Sequence, residues 1–143
     1  MIFLTTYFLK IPAPTGYINP GDGIILLAAI WLGYFSAVPA ALGSAAADIF
    51  SGYAVYAPGT LLIKAGMAIV AVLIMRATKG KFLGRIFAFC VAEAVMVTGY
   101  FFYDILLYGI GGAIVNVSGN AVQAFVSVIL GIALSKLPKV HES

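Results

Sequence analysis

The chain has 143 residues, of which 63% are hydrophobic and 9% charged, whereas a soluble domain is about half apolar and about a quarter charged. Its mean hydropathy is +1.10, and eight Lys and Arg with five Asp and Glu cannot cover a water-soluble globule, so soluble enzyme folds are excluded. What remains is a single all-α integral membrane domain over residues 1–143, with room for about five or six crossings at roughly 20 to 30 residues each. The net charge of +3 is small; one cysteine, Cys90, and one histidine, His141, supply neither a zinc centre nor a Cys–His nucleophile pair.

In chain order, Met1 to Leu9 is apolar without a basic start or a small-residue cleavage site, so it does not read as a secretory signal. As a helix it would span only about 13 Å, less than half the hydrocarbon thickness; residues 1–10 are expected to be the outer end of a truncated first helix. Pro12 to Gly23 holds three prolines and three glycines, a stiffened, turning segment. With Tyr17 and Asn19 it suits a lid over the mouth of a bundle, or an ordinary surface connection. The stretch from Ile24 to Tyr56 has 33 residues, about 50 Å if wholly helical and too long for one crossing. A break at Pro39, where a helix loses a hydrogen bond, gives spans over 24–38 and 40–56. Small residues at four-residue spacing, Ala37, Ala41 and Ala45 or Ala40 and Ser44, offer a smooth packing face.

Ala57-Pro58-Gly59 reads as a turn, followed by a span over 60–75. Arg76, Lys79, Lys81 and Arg85 then put half of all basic residues into ten positions, which the positive-inside rule assigns to the cytoplasm. Another span covers 86–103; Asp104 to Gly119, with four glycines, is expected to be partly helical with a loop. A final span over 120–135 ends in Lys136, Pro138 and Lys139. Two crossings separate the basic clusters, so both lie on one side, the C-terminus is cytoplasmic, and Ile11 to Gly23 faces outside.

Ionisable residues within spans cost several kcal/mol unless paired or facing a cavity. Asp48 and Lys64 flank the Pro58 turn at comparable depth, either as a structural ion pair or with Lys64 facing a ligand. Glu93 lies near mid-depth, about 12 Å into its helix, and either contacts a solute or holds a neighbouring helix. Asn120 and Gln123 share one helix face at i, i+3, where two amides can read a heterocycle's edge or bond between helices. Tyr100 is deep enough for a pocket, whereas Tyr103 and Tyr108 suit the interfacial aromatic belt.

Five motifs in order carry a resemblance: Gly16-Tyr17-Ile18-Asn19-Pro20-Gly21-Asp22; Gly43 to Tyr53 through Asp48; Ala57-Pro58-Gly59-Thr60 with Ile63-Lys64; Gly99-Tyr100-Phe101; and Gly119-Asn120-Ala121-Val122-Gln123. From Ile11 to Ser135 the chain resembles the substrate-binding S components of energy-coupling factor (ECF) transporters, in the riboflavin-type branch. The resemblance implies a six-helix membrane bundle that captures a vitamin or related micronutrient from outside. It also implies a coupling membrane subunit and two ATPases as partners, with toppling in the membrane as the transport step. The substrate-binding residues it favours are Tyr17, Asn19, Lys64, Glu93, Tyr100, Asn120 and Gln123. Riboflavin, a pyrimidine precursor of thiamine and a pyridoxine-like compound all remain open. Pro20 stands where a leucine-like residue is more typical.

An enzyme finds little support, with no HExxH, GxSxG, internal histidine or GxxxxGK[ST] phosphate loop. No catalytic residue, metal or cofactor is therefore expected, and the partners are solute, transporter subunits and membrane lipid rather than nucleic acid. The remaining alternative is a small oligomeric channel or structural membrane protein, associating through its Gly-rich and Ala-rich faces.

Overall fold

In the computed structural model, residues 1–13 and 16–138 are described. Pro14 and Thr15 of the expected lid, Lys139 of the second basic cluster, and His141 lie outside the described residues. Helix α1 covers Ile2–Phe8, and two short strands, β1 (Ile11–Pro12) and β2 (Tyr17–Ile18), pair antiparallel with Ile11 opposite Ile18. Helices α2 (Gly21–Leu32), α3 (Ala37–Phe50) and α4 (Ala57–Ala77) follow, and the last helical element, α5, runs over Phe82–Leu134. Three helical stretches are long and apolar enough to cross a membrane: Gly21–Phe50, Ala57–Ala77 and Phe82–Leu134.

The chain does not break at Pro39. It turns at Gly33, whose φ of 56° is open to glycine, and continues through a 3-10 turn, Gly33–Ser36, into α3. Pro39 then sits in the first turn of α3, where a missing backbone N–H removes no intrahelical bond. Pro58 is displaced from its expected role for the same reason. It stands in the first turn of α4, a position it favours, and residues 51–56 make the connection, with Gly52 at φ 85°.

The expected loop over Asp104 to Gly119 is reduced to one residue. Gly109 adopts φ 74° and ψ 177° inside α5, a conformation essentially confined to glycine. Asn116 Nδ2 donates to Asp104 Oδ2 at 3.0 Å, although twelve residues of straight helix would separate them by about 18 Å. The chain therefore folds back at Gly109 into two arms, residues 82–108 and 110–134. Far from the turn the arms still touch, since Gly131 lies against Leu26 and Phe89.

The bundle has two distinct ends. Gly33 approaches the Arg76 guanidinium and Tyr34 stacks under it, 4.5 Å from the ring centroid, so the α2–α3 turn and the end of α4 share a basic end. The hairpin, Asp22, Asp48 and Asp104 gather at the opposite end. Between the two lies a layer of fully buried apolar side chains, Ile25, Leu26, Met67, Ala68, Phe89 and Met96.

Candidate functional site

The site is assembled from the hairpin downward. Asn19 Oδ1 accepts the Gly21 N–H at 2.8 Å, capping the entry to α2 as an Asx turn. The Asn19 N–H in turn donates to Gln123 Oε1 at 3.0 Å, tying the hairpin to the second arm of α5. Gly21 permits this entry, because a Cβ there would stand 2.1 Å from Thr6 Oγ1 of α1.

Asp22, in the first turn of α2, is the node of the network. Its Oδ1 accepts from Lys64 Nζ at 2.5 Å and its Oδ2 accepts from Gln123 Nε2 at 2.6 Å. One carboxylate thereby joins α2, α4 and α5, and the adjacent helix N-terminus favours its negative charge. The Lys64 ammonium also lies 5.3 Å from the Tyr100 ring centroid, within cation–π range.

A second layer surrounds this core. The Tyr17 phenol donates to Asp48 Oδ1, and burial with the neighbouring Asp48 carboxylate pushes that phenol well above its ordinary pKa. Tyr56 donates to Asp104 Oδ1 at 2.7 Å, opposite the Asn116 bond to Oδ2. The hydroxyls of Thr60 and Tyr100 share a hydrogen bond of 2.9 Å.

These groups enclose a cavity of about 310 Å³ beneath the hairpin, within the size range of small-molecule sites. Its wall is aromatic at Tyr17, Tyr56 and Tyr100 and polar at Ser44, Asp48, Lys64, Asn116, Asn120 and Gln123. Two of the polar groups are unspent. Ser44 Oγ is buried without a hydrogen-bond partner among the described residues. The ammonium of Lys64 has three donors and commits one to Asp22. Such a chamber can hold an aromatic ring by stacking and read its polar edges by hydrogen bonds. Among the described residues no cluster of His, Cys, Asp and Glu has metal-holding geometry.

The profile of the family described as "ECF-type riboflavin transporter, S component" matches residues 1–139. The chain belongs to this family. An S component is a substrate-binding membrane subunit of an ECF transporter, a transport protein rather than a member of an enzyme class, and its chain is a multi-pass membrane protein. It is also 34% identical over 142 residues to a Pyrococcus woesei protein described as "Uncharacterized protein in gap 3'region", covering 96% of this chain and 94% of that one.

Of the residues singled out in the sequence of this S component, Tyr17, Asn19, Lys64, Tyr100, Asn120 and Gln123 line this cavity. Glu93 does not. It is 2% exposed within the apolar layer, and neither carboxyl oxygen has a hydrogen-bond partner. The Asp48–Lys64 ion pair gives way to Asp22–Lys64, with Asp48 taken up by Tyr17. The reason is depth: α2 starts at Gly21, which puts Asp22 inside the bundle rather than in the loop above it. Asp22, Tyr56, Thr60, Asp104 and Asn116 were not singled out for the site. Asp22 and Asp104 carried a usable signal, being two of only five acidic residues and each bordering a long charge-free stretch.

Proposed function

We propose that this S component captures a vitamin-sized aromatic heterocycle in the cavity beneath the β1–β2 hairpin and delivers it across the membrane with an ECF coupling subunit and two ATPases. Unspent hydrogen-bonding groups on residues that line an aromatic-walled cavity carry this reading: Ser44 Oγ and the remaining Lys64 donors. A buried polar group without a partner is costly, so a guest that satisfies these groups is favoured in the cavity. Tyr17, Tyr100, Asn120 and Lys64 are the proposed contacts, with Asn19 and Gln123 holding the hairpin and arm in place. Riboflavin is the first ligand to test, with a thiamine pyrimidine precursor and a pyridoxine-like compound as alternatives.

The direction of capture follows the charge distribution. Arg76, Lys79, Lys81 and Arg85 favour the cytoplasm, which turns the hairpin end outward and the C-terminus inward. The apolar layer between the two ends supports a carrier over a pore. From Lys64 to Arg76 along α4 it spans about 18 Å, with Met67, Ala68, Ala71 and Val72 buried between them. A solute therefore crosses by reorientation of the subunit, driven by its partners, rather than through a channel.

A thermal-shift screen of riboflavin, the two alternatives and unrelated vitamins on detergent-solubilised protein tests this reading, because a ligand that binds the folded state raises its apparent stability. Stabilisation by one vitamin is expected. No shift with any vitamin, together with ion conductance in planar bilayers, overturns it in favour of an oligomeric channel.

A further inference from the structure

The basic end of the bundle holds a second cavity, of about 520 Å³, between α2, α4 and the start of α5. It is independent of the solute chamber and shares no residue with it. Arg76, Lys79 and Arg85 line it, and no carboxylate does. The acidic residues of the described chain are committed elsewhere: Asp22, Asp48 and Asp104 to the hairpin end, and Glu93 to the apolar layer.

Two of these cations are tethered by the fold, while Lys79 sits exposed on the turn between them. Arg76 stacks over Tyr34, and Arg85 Nε donates to Gly80 O at 3.1 Å. Lys79 and Gly80 turn the loop with consecutive positive φ values of 54° and 64°, and Gly80 N donates back to Met75 O at 2.8 Å. Lys79 adopts this conformation without being glycine, a local cost that the surrounding loop sustains.

Trp31 lines the same cavity beside the cations. Three cations around one cavity that no carboxylate enters describe a site for an anion with several oxygens. Val72 and Met75 add an apolar wall beside the charges, which suits a headgroup that continues into hydrocarbon.

We propose that this cavity binds a phosphate group, with the phosphodiester of an anionic phospholipid as the occupant the apolar wall favours. Arg76, Lys79 and Arg85 supply the positive field. Basic pockets between membrane helices recognise anionic headgroups in this way, each basic side chain contributing about 1 kcal/mol, or about fivefold in affinity.

The test is native mass spectrometry of the whole chain in detergent micelles supplied with phosphatidylglycerol, with phosphatidylcholine, or with inorganic phosphate at matched ionic strength. Phosphatidylglycerol is expected to be retained over phosphatidylcholine, in a manner that weakens with salt. The double variant R76Q/R85Q is expected to lose about 25-fold in retention, from two cations at about fivefold each. Solute affinity is expected to be unchanged in it, which separates this site from the transport reading. Retention of inorganic phosphate without phosphatidylglycerol would assign the same site to a soluble phosphate. Equal retention of both lipids by the parent chain with no phosphate bound, or parent-like retention by R76Q/R85Q, overturns the proposal. Should the variant fail to fold, the competition between the two lipids on the parent chain decides it alone.

Discussion

Asp22 and Lys64 meet at 2.5 Å with side chains 1% and 4% exposed, and the second Asp22 oxygen is taken by Gln123. One carboxylate thus fastens three helices around the floor of the cavity. Breaking a buried pair by removing one partner leaves an uncompensated charge and costs about 3–5 kcal/mol. Asp22→Ala is therefore expected to unfold at a much lower temperature than the parent in detergent. A double-mutant cycle of Asp22→Asn and Lys64→Met is expected to show strong coupling. Single variants whose effects simply add would mean that the pair does not hold the bundle.

Asn120 and Gln123 share a helix face but are expected to behave differently. Gln123 spends its amide on Asp22 and on the Asn19 N–H, whereas Asn120 lines the cavity and its side chain has no hydrogen bond among the described residues. Asn120→Ala is expected to weaken ligand binding by about 1–3 kcal/mol for a lost buried partner, with little change in melting temperature. Gln123→Ala is expected to lower the melting temperature as well. Calorimetric titration and thermal unfolding on both variants check the separation, and an Asn120→Ala protein with parent-like affinity would remove that residue from the site.

Glu93 gives the opposite expectation. Its carboxyl is buried without a partner and lies off the cavity wall, so Glu93→Gln, which keeps the shape and removes the acid, is expected to leave ligand affinity within about twofold and stability equal or higher. A loss of tenfold or more in affinity on titration would bring Glu93 back into the binding site.

The fold-back of α5 depends on one glycine. Gly109→Ala places a Cβ at a backbone conformation that costs about 1–3 kcal/mol, and the strain falls on the turn that joins Asp104 to Asn116. Gly111→Ala, two residues on, meets nothing within 4 Å in a helical stretch and is expected to stabilise by up to about 1 kcal/mol. Comparing the two melting temperatures checks the assignment; an indifferent Gly109→Ala would contradict it.

How far the sequence carried can be traced through the same residues. Scarce charge made the class and the intramembrane ions legible, because each Lys or Asp in an apolar stretch must find a partner. Which partner was not legible. Symmetry about the Pro58 turn matches Lys64 with Asp48, but α2 begins at Gly21 and brings Asp22 down to Lys64 from 42 residues away. Prolines mark breaks in the sequence but are tolerated in first turns, whereas the chain turns at Gly33 and Gly109 through positive φ. The cavity wall from Tyr17 to Gln123 followed from ordered motifs, while Tyr56, Thr60, Asp104 and Asn116 entered it through contacts 12 to 48 residues apart that no local pattern announces.

The most direct measurement is an equilibrium titration of the purified protein with riboflavin, the thiamine pyrimidine precursor and a pyridoxine-like compound, run beside Asn120→Ala. Saturable one-to-one binding of one of them, weakened about tenfold or more in the variant, is the expected result. Folded protein that binds none of the three, or binds one with the same affinity after Asn120→Ala, would contradict the assignment of the hairpin cavity as the solute site.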